Sequence, residues 1–222
     1  MDSKLLFQAL FKFITGIILI GVLVFLPAGT FYFGGILLCG LLFIPMLVLG
    51  VILFVKSPKL LQKRLDTKEK AGTQKGIVLA SALIFTAGFV IAGLDYRFSW
   101  SAVPAWIVIT ASVLFLVSYG LYAEVMRENA YLSRTIGIQK GQKVIDSGLY
   151  GIIRHPMYAA TILMFLSIPI ILGSWYAFLV FLLYPIVIIV RIIHEENVLE
   201  DGLPGYSEYK KRVQYRIIPF VW

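Results

Sequence analysis

Apolar residues run in long blocks along this chain, separated by short polar links. The blocks cover 5–26 (broken once by Lys12), 31–55, 77–94, 103–123, 158–172 and 175–190. A helix needs about 20 mostly apolar residues to cross the hydrocarbon core of a bilayer. Backbone groups in lipid must be satisfied within their own segment, so the blocks are expected to be helices and not strands. The pattern predicts an all-α, multi-span integral membrane protein of about six transmembrane helices. Pro27-Ala28-Gly29-Thr30 makes a tight hairpin of the first two spans. Gly173-Ser174 does the same for the last two, giving a helical hairpin near the C-terminus. The first block is long and is followed at once by a second, so it reads as an anchor and not as a cleaved signal. There is no low-complexity tract and no repeat at a fixed period.

Composition strengthens this reading. Of 222 residues, 59% are hydrophobic and 14% charged. A soluble domain carries about 25% charged residues, so this chain has too few polar side chains to coat a water-soluble core. A single cysteine, Cys39, excludes a disulfide framework and a Cys-based zinc site. The net charge of +8 would suggest a nucleic-acid partner in a soluble protein. Here its distribution points elsewhere, and no nucleic acid is expected. Lys4 and Lys12 lie at the N-terminus, and Lys56, Lys59, Lys63, Arg64, Lys68, Lys70 and Lys75 follow the second span. Arg127, Arg134, Lys140, Lys143 and Arg154 follow the fourth, and Arg191, Lys210, Lys211, Arg212 and Arg216 lie in the tail. With six spans all of these share one side, and of the 20 Lys and Arg only Arg97 falls on the other. Retention of basic residues in the cytoplasm therefore predicts both termini cytoplasmic, with a mild attraction to anionic headgroups.

Spans one to four hold almost nothing reactive, only the scattered Gly, Pro, Ser and Thr of helix packing in lipid. Polar density rises after Ala123. This divides the chain into an N-terminal four-span part, 1–123, and a C-terminal part, 124–222, containing the hairpin and a polar pocket. The segment 124–157 and the tail 191–222 flank that hairpin, so their ends must meet at one membrane face. Pro156 suits the first turn of span five, where its missing N–H costs nothing. His155 and Arg154 then stand at a helix start that favours an anion. Either a ligand site or a plain capped entry, with Arg154 reaching to lipid phosphate, satisfies that pattern. Arg191 and Glu195 are four apart and share a helix face at the membrane boundary. There an ion pair ending the helix and a functional pair are both consistent. The two histidines show no His-x-x-x-His spacing, so no metal is expected. A Gly-x-Gly-x-x-Gly fingerprint, a phosphate loop and a Gly-x-Ser-x-Gly elbow are all absent.

At these residues the chain resembles the isoprenylcysteine carboxyl methyltransferases and the related membrane phospholipid N-methyltransferases. The resemblance covers 128–219 and rests on an ordered series of motifs. Glu128-Asn129 comes first, then Ile138-Gln139, Gly141-Gln142-Lys143-Val144-Ile145 and Ser147-Gly148-Leu149-Tyr150. Arg154-His155-Pro156-Met157-Tyr158 follows. Arg191, Glu195-Glu196 with Leu199, Gly205-Tyr206 and Tyr209-Lys210-Lys211-Arg212 complete it. The 139–144 loop is shorter than in the eukaryotic members.

The resemblance implies S-adenosyl-L-methionine as cofactor and a lipid-like, most simply prenylated, methyl acceptor. Carried over by position, it implies cofactor binding by Gln139, Gln142, Lys143, Val144, Ile145, Tyr150, His155, Pro156, Met157, Tyr158 and Glu195. Arg191 would bind the acceptor, and Arg191 and Glu195 would be the catalytic residues. Methyl transfer from a sulfonium needs alignment and desolvation more than acid–base chemistry. A carboxylate acceptor is already a nucleophile at pH 7, whereas an amine would need Glu196 or His194 to take its proton. Three other readings stand beside carboxyl O-methylation. They are phospholipid N-methylation, a non-catalytic lipid-binding protein of the same fold, and a membrane reductase using a nicotinamide cofactor. The membrane would be the cell membrane in a prokaryote and the endoplasmic reticulum in a eukaryote.

Overall fold

The computed structural model describes residues 3–65, 72–133 and 135–222, with side chains from residue 75 onward in the second stretch. Lys68, Lys70 and Arg134, counted above among the basic residues, lie outside the described residues. Every apolar block is helical. Helices α1 (Ser3–Ala28), α2 (Phe33–Lys56), α4 (Gly72–Phe98) and α5 (Ala105–Glu128) are the first four spans. Between α2 and α4 stands a short helix, α3 (Pro58–Leu65). Helix α6 (Pro156–Ile171) is followed by α7 (Trp175–Phe181), α8 (Leu183–Gly202) and α9 (Tyr206–Arg212). Among the described residues there are no strands. Five helical stretches are long and apolar enough to cross a bilayer: α1, α2, Lys75–Phe98 of α4, α5, and the rod Trp175–Gly202 that joins α7 to α8. Helix α6 has 16 residues. At 1.5 Å per residue that is about 24 Å, short of the roughly 30 Å hydrocarbon thickness.

Two boundaries differ from the apolar pattern, for physical reasons. The rod does not stop where its apolar run stops at Val190. It continues as helix to Gly202, because Ile192 stays buried in the core and Glu195 and Glu196 meet partners in the flanking segments. Helix α3 is amphipathic. It buries Leu60 and Leu61 while Lys63 donates to Ala130 O (3.3 Å) and Arg64 to Ser133 O (3.3 Å), which fastens it to the loop after α5.

Apolar burial in lipid gives little drive for helices to associate, so close packing must do it. The largest core cluster joins Val24 and Ala28 of α1, Leu38 of α2, Phe89 and Ala92 of α4 and Phe115 of α5. Ile168 and Ile171 of α6 and Phe181 of α7 complete it. At Gly93 a Cβ would stand 2.6 Å from Val24 O, so α1 and α4 approach to backbone contact there.

The connections sort to two ends of the bundle. At one end lies Asp95, 1% exposed, which accepts from Ser101 N (2.7 Å) and Ser101 Oγ (2.6 Å) and from Ser174 Oγ. Ser101 Oγ in turn accepts from Trp175 N (3.1 Å), so this carboxylate ties the α4–α5 link to the α6–α7 link. Ser174 also caps α7 by accepting from Ala177 N (3.0 Å). At the opposite end gather α3, the 129–155 segment, the end of α8 and the tail, and the candidate site lies there.

Candidate functional site

The chain leaving α5 is shaped by side-chain caps. The Glu128 carboxylate accepts from Leu149 N at 3.1 and 3.2 Å and so holds the start of the 3₁₀ turn Gly148–Gly151. Gly148 has φ +55°, and a Cβ there would stand 1.6 Å from Glu128 Oε1. The Glu-Asn and Ser-Gly-Leu-Tyr motifs are thus two halves of one contact. Asn129 Nδ2 donates to Tyr150 Oη (3.0 Å), and Tyr209 Oη donates to Tyr150 O (2.8 Å). The Tyr150 phenol is pushed up to about 12, chiefly by burial; the Asn129 hydrogen bond and Arg64 oppose the rise, while Glu195 and Glu128 add to it. Residues 139–142 form a reverse turn, with Gln142 N donating to Gln139 O (3.0 Å) and Gly141 at φ +75°. A positive φ at the third turn position is the type II signature that favours glycine. Gln142 Oε1 accepts from Gln139 N (2.9 Å), and Gln139 Nε2 donates to Tyr131 O, so both amides brace the turn.

The Arg-His-Pro motif is sewn to the tail. Arg154 N donates to Tyr215 O (2.9 Å) and His155 N to Arg216 O (2.8 Å). Arg154 Nη1 donates to Val213 O (2.7 Å) and Gln214 O (2.8 Å), and its Nε to Glu196 Oε1 (2.8 Å). His155 Nε2 lies 3.2 Å from the same oxygen, and Arg216 Nε donates to Glu196 Oε2 (3.0 Å). Arg154 is therefore turned inward to a buried carboxylate and does not reach for lipid phosphate. Pro156 occupies the first turn of α6, as expected.

Glu195 faces another way, because neighbours on a helix cannot share a face. Its Oε2 accepts from Tyr158 Oη (2.6 Å), and Tyr158 Oη accepts from Arg191 Nε (2.9 Å). The phenol thus bridges Arg191 and Glu195, four residues apart on α8.

Beside this bridge opens a cavity of about 720 Å³, within the range of small-molecule sites. Its polar end is lined by Asn129, Ser133, Thr135, Gln142, Lys143, Tyr150, Arg154, His155, Tyr158, Arg191, Glu195 and Tyr206. Val144, Ile145 and Met157 also line it. The other end runs between the spans, along Leu42, Met46 and Leu49 of α2, Ile77, Val78 and Phe85 of α4, Met164 and Phe165 of α6, and Tyr184 and Ile188 of α8. Of the residues expected at the site, Gln139 and Pro156 are not among those lining it; the others are. Glu196 and His194, considered as bases for an amine acceptor, do not line it either, and Glu195 is the one carboxylate among the described lining residues. The motif series left out Arg64, Tyr122 and the apolar residues of α2 and α4, whose only sequence signal is their place in spans one to four and the link between them. Among the described residues no three His, Cys, Asp or Glu side chains are grouped to hold a metal ion.

The chain is similar to the Delta(14)-sterol reductase of Mus musculus, 33% identical over 91 residues, which is 40% of this chain and 22% of that protein. The match thus spans about a fifth of the length of that curated relative. The model of the phospholipid methyltransferase family matches residues 106–203, taking in α5 and ending before α9. The stretch that carries the Glu-Asn, Arg-His-Pro and paired-glutamate motifs is therefore the part of the chain that is similar to the phospholipid methyltransferase family.

Proposed function

We propose that this membrane protein is an S-adenosyl-L-methionine-dependent methyltransferase whose acceptor is a carboxylate on an isoprenylcysteine-type lipid. The observation that carries the reading is the two-part cavity. A polar end built from the motif residues runs into an apolar end between the spans, as a water-soluble cofactor and a lipidic acceptor require. The lining suits the cofactor's chemistry. Tyr122, Tyr131, Tyr150 and Tyr158 present aromatic faces and Glu195 a carboxylate, both favourable to cationic groups. When bound, the cofactor supplies an electrophilic methyl group on a sulfonium.

The chain's own residues then have distinct tasks. Glu195 binds cationic groups of the cofactor, and Gln142, Lys143, Val144, Ile145, Tyr150, His155 and Met157 complete the wall around it. Gln139 and Pro156 act through the backbone, Gln139 by closing the turn and Pro156 by starting α6. Arg191 orients the acceptor carboxylate, with Tyr158 fixing it relative to Glu195. Its grip positions and does not neutralise, since a fully paired carboxylate would be a poor nucleophile. The walls of α2, α4 and α6 hold the acceptor's chain and keep water from the reacting atoms. No side chain needs to take a proton from a carboxylate acceptor, which accords with the lack of an unengaged base among the described lining residues. We further propose that 124–222 forms the catalytic part and 1–123 the lipid-binding part. Both termini would face the cytoplasm, at the cell membrane in a prokaryote or the endoplasmic reticulum in a eukaryote.

The test is transfer of labelled methyl from S-adenosylmethionine to a membrane extract by the purified protein, with calorimetric binding of the cofactor. Saturable binding lost in Glu195→Ala, and a labelled carboxyl ester on a lipidated product, are expected. Label on phospholipid nitrogen would replace the O-methyl reading with N-methylation. Binding without transfer would leave a lipid-binding protein. The similarity to a sterol reductase supports a second reading, hydride transfer from a nicotinamide cofactor. Oxidation of NADPH by the protein with a sterol-like acceptor, and no binding of S-adenosylmethionine, would establish that reading instead.

A further inference from the structure

Helix α3 and the loop after α2 lie outside the stretch that matches the family, yet one of their side chains enters the cavity. Arg64 lines it, donating through Nη1 to Ser133 O (3.3 Å) and through Nη2 to Tyr122 Oη, with its guanidinium 5.4 Å from the centre of the Tyr122 ring. The group is half-buried, and among the described residues no carboxylate pairs with it. The contrast with Arg154 is direct, because Arg154 lines the same cavity and is neutralised by Glu196 at 2.8 Å. A guanidinium has five donors in a fixed fork, and among the described residues two of Arg64's are engaged, both by neutral oxygens. A partly desolvated charge of this kind is stabilised by an opposite charge brought to it. Arg64 also lies within electrostatic reach of Tyr150, as Glu195 does, so the cation and the cofactor-side carboxylate flank the same tyrosine.

We propose that Arg64 is an anion-binding residue of the cavity, taking the carboxylate or phosphate of a ligand held there. The inference deepens the reading of this cavity as a ligand site and rests on it. It does not depend on which group is methylated. The oxyanion has two possible sources, the head of a lipidic ligand or the amino-acid end of the cofactor. Either way, helix α3 adds a second charge-recognising group from outside the matched region, alongside Arg191 within it.

The experiment uses the full-length protein in a neutral detergent and two pairs of probes. Oleate against oleyl alcohol reports the lipid source, and S-adenosylmethionine against its decarboxylated form reports the cofactor source. Hydrogen bonds to a charged group contribute roughly 1.5–3 kcal/mol, so the wild type should prefer the carboxylate-bearing member of one pair by about tenfold to a hundredfold. Arg64→Met should lower that preference by about tenfold or more, toward whatever Arg191 alone sustains, and Arg64→Lys should keep part of it. Lys63→Met is the control. Lys63 fastens the same helix through Ala130 O and stacks over Tyr131 at 5.8 Å, but it does not line the cavity, so the preference should survive its loss. An Arg64→Met protein that keeps the wild-type preference overturns the proposal while leaving the methyltransferase reading intact. Equal binding of the carboxylate-bearing and carboxylate-free members in both pairs does the same. A wild type that binds none of the four probes overturns both.

Discussion

Glu196→Ala should unfold this protein far more readily than Glu195→Ala, although the two residues are adjacent. The Glu196 side chain is 3% exposed, and its two oxygens receive Arg154 Nε, His155 Nε2 and Arg216 Nε. Arg154 is itself 4% exposed. Truncation leaves that guanidinium buried with, among the described residues, only the carbonyls of Val213 and Gln214 for partners. Removing one member of a buried ion pair costs about 3–5 kcal/mol. For a chain of this size each kcal/mol lowers the unfolding midpoint by about 2–4 °C, so a drop of roughly 6–20 °C is expected. Glu195 is half-buried and accepts from Tyr158, so its truncation should cost about 1 kcal/mol. Glu196→Gln keeps the shape and an acceptor but not the charge, and should fall near half the alanine loss, since charge-assisted bonds are roughly twice as strong as neutral ones. Thermal unfolding in detergent, followed by intrinsic fluorescence, measures all three. Trp222, whose ring lies 4.9 Å from the Arg216 guanidinium, reports on the tail directly. A Glu196→Ala midpoint within about 2 °C of wild type, a loss under 1 kcal/mol by the same conversion, would refute the buried-pair argument. So would a Glu195→Ala protein that is the less stable of the two.

Other substitutions follow from the same geometry. Gly148→Ala puts a methyl 1.6 Å from Glu128 Oε1 at a φ of +55°, so it must expel the cap and lose about 1–3 kcal/mol; in Glu128→Ala the same change should cost less, read as a non-additive double-mutant cycle in unfolding midpoint. Tyr158→Phe deletes the hydroxyl between Arg191 and Glu195 and with it two hydrogen bonds worth about 1 kcal/mol each, and should weaken ligand binding by about tenfold while lowering the unfolding midpoint by only several degrees, well short of the Glu196→Ala loss. Gly93→Val should separate α1 from α4, because its first side-chain atom would already stand 2.6 Å from Val24 O, and should lower the midpoint by several degrees. If the acceptor is a carboxylate, with an ordinary pKa near 4, the transfer rate should be flat from about pH 6 to 9; an amine acceptor would give a rate rising with pH, and initial rates in overlapping buffers separate the two.

The spans were legible because lipid removes choices. Once a block is too apolar for water, its backbone can only be helical, so no cap or periodicity had to be read to place α1, α2, α4, α5, α6 and the α7–α8 rod. Pro156 marked the start of α6 for an equally local reason. What escaped the pattern was polar helix and polar contact. Residues 191–202 no longer form an unbroken apolar run, yet they continue α8 because Glu195 and Glu196 find partners far along the chain. Asp95 stands just outside an apolar block, and its burial depends on Ser174, 79 positions away. Such contacts leave no mark on local sequence. The same holds for Arg64, which counted among the basic residues of one membrane side and whose inward turn is set by Tyr122 and Ser133.

The paired glutamates show where local reasoning reached and where it stopped. Helical geometry alone requires that residues 195 and 196 point about 100° apart, so one of them had to leave whatever face the other occupies. Which one leaves is decided by Arg154 and Arg216, on segments 42 and 20 residues distant. The consequence reaches the chemistry. Glu196 spends its charge holding the tail over the Arg-His-Pro motif, and it is thereby withdrawn from the cavity as a proton acceptor. Glu195 is left beside Tyr158 and Arg191 as the cavity's described carboxylate. On the proposed reading, a pocket whose described lining holds several cations, one carboxylate already hydrogen-bonded and an apolar end between the spans suits an acceptor that arrives as an anion better than one that must first be deprotonated.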